Sequence, residues 1–199
     1  MSPAWLVVAG IGLIVAGAST AHARRPTIGA AESRVFHAVN GLPSALYPLL
    51  WLPMQFGNLL VGTVAGLGVA VVDRDATVAV GVTLAGALKL LAERVIRRQM
   101  VDYLAVRQRP GVSQRAAILR GGDVPVSGPS FPSGHVILAA GVGTVVAPIL
   151  GPAWWWVPVV LTVLVMIGRV YVGAHNPLDV TAGLGAGLVL GGVLAALVD

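Results

Sequence analysis

The chain is predicted to be all-α: an integral membrane six-helix bundle that forms one domain over residues 1–199. Three observations carry that prediction. Apolar residues make up 56% of the chain and charged residues only 11%, where a soluble domain carries roughly a quarter charged residues. The apolar residues fall in runs that approach the ~20 residues needed to cross a bilayer. The polar residues gather in a few loops between those runs. In lipid each backbone polar group needs a partner within its own segment, so such runs fold as helices.

The first run spans Pro3 to Thr20 and is followed by Ala21-His22-Ala23, a pattern resembling a signal-peptide cleavage site. No Lys or Arg precedes the apolar core, and Arg24 and Arg25 follow it. That order predicts a retained first helix. Leu42 to Met54 is apolar but holds Pro43, Pro48 and Pro53, so it reads as a broken or surface-lying piece. The second and third spans run from Phe56 to Val72 and from Ala76 to Ala92. An Arg-rich polar loop then extends from about Arg94 to Ser133 and closes on the turn-forming cluster from Val126 to Pro132. The fourth and fifth spans, Val136 to Leu150 and Trp154 to Ile167, are short and need flanking residues to cross. The sixth is Leu178 to Val198.

Trp154-Trp155-Trp156 reads as an interfacial anchor. Gly183, Gly187 and Gly191, like Gly62 and Gly66, recur every four positions and suit close helix packing. The same faces would also admit a homo-oligomer. The net charge of +5 assigns its arginines to one membrane face rather than to nucleic acid. With no Cys, disulfides, thiolate catalysis and Cys-type zinc sites are excluded.

Ionisable residues at a membrane edge are functional candidates, and here they converge. Six spans put the loops near residues 24–55, 94–133 and 169–177 on one face, with both termini on the other. The converging loops hold Arg109, the Pro132-Ser133-Gly134-His135 segment and the stretch with Arg169, His175 and Asp179. Arginine presents a planar fork of donors to phosphate. Histidine attacks phosphorus or carries protons near neutral pH. A carboxylate four residues on shares the histidine's helix face and can orient it. His175 and Asp179 could instead bind zinc with His135, but two arginines in the same place favour an anion, so neither metal nor cofactor is expected. His22 and His37 have no such company and read as surface residues.

These motifs resemble the type 2 phosphatidic acid phosphatase (PAP2) superfamily, which includes vanadium haloperoxidases and glucose-6-phosphatase. The family carries a Lys with Arg-Pro seven residues on, then Pro-Ser-Gly-His, then Ser-Arg, five residues, His, three residues, Asp. Pro132 to His135 matches the second motif. Arg169, His175 and Asp179 match the third, with Gly168 where the family has Ser. Arg109-Pro110 matches the end of the first, but Asp102 stands at the lysine position. Lys89, Arg97, Arg98 and Arg107 are the candidates to supply the missing charge, with Lys89 equally readable as the i,i+4 partner of Glu93.

The resemblance implies a membrane phosphatase acting on a lipid phosphate, either a polyprenyl phosphate or diphosphate or a phosphatidyl-type lipid. His175 would be the nucleophile, Asp179 its orienting carboxylate and His135 the general acid. Arg109, Arg169, Ser133 and Gly134 would bind the phosphate, the last two at a helix start. The alternative is a non-catalytic membrane subunit, for lipid binding or transport, that keeps an anion site. The excess of arginine on the motif face predicts a cytoplasmic site, whereas the resemblance to bacterial relatives implies the opposite side.

Overall fold

A computed structural model describes residues 3–25, 27–103, 107–122 and 124–198. Its helices are α1 (Pro3–Ala23), α2 (Ala30–Asn40), α3 (Tyr47–Met54), α4 (Leu59–Asp73), α5 (Ala76–Gln99), α6 (Pro110–Ser113), α7 (Gly134–Val146), α8 (Gly151–Trp154), α9 (Trp156–Tyr171) and α10 (Pro177–Val198). Each of the six expected spans coincides with one of the long helices. Four stretches are by themselves long and apolar enough to cross a membrane: Pro3–Ala23, Ala76–Gln99, Gly151–Tyr171 and Pro177–Val198. The fifth span is thus longer than expected, because α8 and α9 run together through the tryptophans. Gly134–Ile149 is shorter. So is α4, which follows the Pro-rich Ser44–Gly57 piece at a bend of 74°, as the prolines at 43, 48 and 53 foretold.

The bundle is built around α7. Eleven of its 13 residues are buried, and it packs against α4, α5, α9 and α10. A helix that is apolar on every side belongs inside. Small residues bring its neighbours close. A Cβ on Gly187 would stand 2.6 Å from the Ala140 Cβ, and one on Gly191 2.6 Å from the Thr144 Cβ. On its other side α10 meets α1, where Gly12 lies against the Gly185 carbonyl and Gly192 against Trp5 and Ala9. Gly62 and Gly66 likewise face Phe56, Leu138, Val142 and Val82. These glycine faces serve packing within the chain.

The expected alternation of loops follows from the same contacts. Trp5 near the start of α1 meets Gly192 near the end of α10. Thr77 at the start of α5 donates to the Val198 carbonyl at 3.3 Å. Both ends of the described chain therefore lie at one end of the bundle. At the other end, Ala23, Met100, Phe131 and Ala182 cluster. The helical part of the presumed polar loop is a correction: α5 continues past Arg94 to Gln99. Glu93 bonds Lys89 at 2.9 Å and Arg97 at 2.7 Å, each one turn away, and such pairs support helix at the exposed end.

Candidate active site

The third motif is shaped by a turn between α9 and α10. Gly173 adopts φ 76° there, a region that favours glycine, and a Cβ on it would also meet the Ile118 carbonyl at 2.8 Å. The amides of Ala174 and His175 both donate to the Arg169 carbonyl, at 3.1 and 3.2 Å. Arg169 and His175 are thereby drawn to one place, and both are buried. Asn176 then precedes Pro177, and proline is favoured at the first helical position. Asp179 reaches back so that its Oδ2 accepts from the Asn176 amide at 2.8 Å, in the manner of a capping box. The same Oδ2 lies 3.8 Å from His175 Nδ1, a charge contact longer than a hydrogen bond.

Within the first motif, Arg107 to Arg109 is extended. Ser130 N donates to the Arg107 carbonyl and Arg109 N to the Gly128 carbonyl, each at 2.9 Å, pairing residues 107–109 with 128–130. Alternation along an extended segment puts Arg107 and Arg109 on one side. Arg109 Nη1 donates to the Ala174 carbonyl at 2.8 Å, beside His175. Arg107 turns to carboxylates. Its two terminal nitrogens bond Glu32 at 2.9 and 2.8 Å, and Nη2 also bonds Asp179 Oδ1. Burial works against its charge, but Asp179 and Glu32 more than offset that and raise its pKa.

The second motif starts α7. Ser133 N donates to the Asp179 carbonyl at 2.9 Å. Its Oγ is buried and has no hydrogen-bond partner among the described residues. A Cβ on Gly134 would stand 2.6 Å from Glu93 Oε2 and 2.9 Å from Lys89 Cε. The Lys89–Glu93–Arg97 ladder therefore abuts the start of α7, within electrostatic reach of His135 and Arg109. His135 and Arg169 line a polar cavity of 30 Å³ together with Met54, Gln55 and Asn58. Burial pushes the His175 imidazole down to about 4, against the opposing pull of Asp179 and with help from Arg169 and Arg109. A neutral imidazole is what a nucleophile requires.

All seven candidate residues thus lie in one region, which joins the turn before α10, the start of α7 and the extended segment. Of the four candidates for the missing charge, Lys89 and Arg97 stand at the site, Arg98 is exposed and Arg107 is committed to Glu32 and Asp179. Asp102 is exposed on the turn Val101–Tyr103, so its negative charge is turned to solvent. His22 and His37 are exposed, as expected. Among the described residues no three His, Cys, Asp or Glu side chains are grouped to hold a metal ion.

Three residues escaped the sequence reading. Glu32, in the first turn of α2, accepts from the Leu178 amide at 3.0 Å besides pairing with Arg107; an acid among the arginines of the motif face was its only signal. Gly57 admits His135, whose Cβ would stand 2.7 Å from an added Cβ. Arg120 is buried. It donates to the carbonyls of Asn40, Tyr171 and Leu42 and lies over the Tyr171 ring, tying α2 to the end of α9.

Comparison with known proteins agrees with this fold. Undecaprenyl-diphosphatase of Sulfolobus acidocaldarius is 46% identical over 55 residues, which are 27% of this chain and 26% of that protein. The match thus spans about a quarter of the relative. The crystal structure of a transmembrane PAP2 type phosphatidylglycerolphosphate phosphatase from Bacillus subtilis superposes with a TM-score of 0.63 at 25% identity, covering 97% of this chain and 94% of that one. Aquifex aeolicus LpxE shares the fold, with a TM-score of 0.65 at 21% identity over 82% of this chain and 93% of its own. The PAP2 superfamily profile matches residues 76–199, more than half of the sequence, and this multi-pass membrane protein belongs to the PAP2 superfamily of phosphatases.

Proposed function

We propose that the protein hydrolyses a lipid phosphate, a polyprenyl phosphate or diphosphate or a phosphatidyl-type lipid, through a phosphohistidine on His175. The observation that carries the reading is the buried, neutral His175 held between Asp179 and two arginines at a membrane edge. In the first step a His175 ring nitrogen attacks phosphorus, and the bond to the lipid oxygen breaks as His135 protonates that oxygen. In the second, water attacks the phosphohistidine, gives up its proton to His135, and releases phosphate and free His175. Asp179 stabilises the imidazolium of the intermediate. Arg109 and Arg169 offset the charge that spreads over the equatorial oxygens.

The non-catalytic alternative drew its support from the broken first motif. Lys89 and Arg97, both paired with Glu93, leave a net positive charge beside α7 that the motif spacing lacks, which argues against that reading. The substrate class rests on the bilayer setting and on the names of the relatives, a phosphatase of undecaprenyl diphosphate and one of phosphatidylglycerolphosphate. An apolar groove of 120 Å³ lined by Phe56, Gly62, Ala139, Val142 and Leu161 starts beside the Gly57 corner and suits a lipid tail. The deciding experiment is phosphate release by purified protein in detergent from a panel of lipid phosphates, with and without EDTA and vanadate. Turnover that survives EDTA and falls with vanadate, a mimic of pentacoordinate phosphorus, is expected. No release from any lipid phosphate would return the protein to the non-catalytic class. Loss on chelation restored by zinc would favour a metal mechanism.

A further inference from the structure

Asp179 does not hold His175 unaided. Its Oδ1 is bonded by Arg107, and Arg107 in turn is gripped by both oxygens of Glu32. Glu32 Oε1 also accepts from the Leu178 amide at 3.0 Å, one residue before Asp179. Arg107 is 1% exposed and Asp179 0%, and Phe131 lies along the guanidinium at 5.8 Å. A charge so enclosed adopts few geometries, so each atom in the series fixes the next. The Arg107 hydrogen bond takes up Oδ1 and leaves Oδ2 to face Nδ1 of His175.

We infer that Arg107 and Glu32 are positioning residues for the nucleophile, a Glu32–Arg107–Asp179 series that orients the carboxylate facing His175. Arg107 is then not the replacement for the missing lysine, although it stands only two residues from Arg109. Glu32 brings α2, which lies outside the three motifs, into the reaction. This inference rests on His175 being the nucleophile.

Neither residue touches substrate in this account, so each should act on turnover and not on binding. Glu32→Gln and Arg107→Lys are each expected to lower kcat by about ten- to a hundredfold, as when a partner that orients a reactive group is lost, while KM stays within about threefold of wild type. The double variant should fall no further than the worse single one, because Glu32 acts through Arg107. A rise in KM at unchanged kcat on changing Arg107 would make it a phosphate ligand and overturn the inference, as would wild-type kinetics in both single variants. Thermal unfolding in detergent monitors the fold. Should Arg107→Lys fail to fold, Glu32→Asp carries the test: it keeps the charge but withdraws it by one methylene, and wild-type kcat there would also overturn the inference. His175→Ala in the same assay separates the two levels. Turnover without His175 defeats the nucleophile itself. An inactive His175→Ala beside fully active Glu32 and Arg107 variants defeats only the positioning series.

Discussion

Arg109 and Arg169 reach the site by different routes, one from an extended segment bonded to the Ala174 carbonyl and one from the last turn of α9. Each is expected to act as a donor to the transition state, so Arg109→Ala and Arg169→Ala should lower kcat/KM by roughly 10²- to 10³-fold. Lys89→Ala should behave similarly, and Arg98→Ala, on an exposed helix face, should be near neutral; four steady-state measurements decide this. The motif letters made Arg109, Arg169, His135, His175 and Asp179 legible, because their spacing is local. Glu32, Arg120 and the role of Arg107 were not legible, because their hydrogen-bond partners lie 51 to 146 residues away in sequence. Protonation gives a second test. The folded His175 titrates near 4, below the ordinary histidine value of about 6.5. Between those values the unfolded chain binds more protons, so folded stability falls as pH drops from 6.5 towards 4, by roughly 3 kcal/mol in all. Thermal unfolding in detergent should show that loss in wild type and a smaller one in His175→Asn.

At the scale of elements, apolar run length announced the four stretches long enough to cross a membrane and the shorter apolar helices α4 and α7, and prolines announced the bent piece before α4. The start of the polar loop was misjudged, since charged residues in the last turns of α5 stabilise helix through ion pairs rather than ending it. The departure Gly168 for Ser has a packing reason. A Cβ at Gly168 would meet the Met54 side chain, with Sδ at 2.7 Å, and Met54 lines the cavity beside His135 and Arg169. The absence of a side chain at residue 168 thus leaves room for Met54 where the corner at Leu50 to Gly57 packs on α9. Restoring the family serine should overpack this contact and cost about 1–3 kcal/mol. Equal thermal stability of Gly168→Ser and wild type would contradict the packing account.

For the whole molecule, the bundle turns Arg24, Arg25, Arg34, Arg94, Arg98 and Arg115 outward at the site end. The opposite end has Arg74 between Asp73 and Asp75; Asp199 lies outside the described residues. Arg107, Arg109, Arg120 and Arg169 are committed to the site or its supports and are discounted. The remaining bias still proposes a cytoplasmic active site. With no native Cys, single cysteines at Gly122 and Ala76, both exposed, can be probed on intact cells with an impermeant thiol reagent. Labelling at position 76 and not at 122 is expected, and the reverse pattern places hydrolysis on the outer face. The central claim is the covalent intermediate. Rapid alkaline quenching of the purified protein with a lipid phosphate, followed by peptide mass spectrometry, should reveal phosphate on His175, stable in base and lost in acid, and absent from His175→Ala. Turnover with no phosphate on His175, or undiminished turnover in His175→Ala, would contradict it.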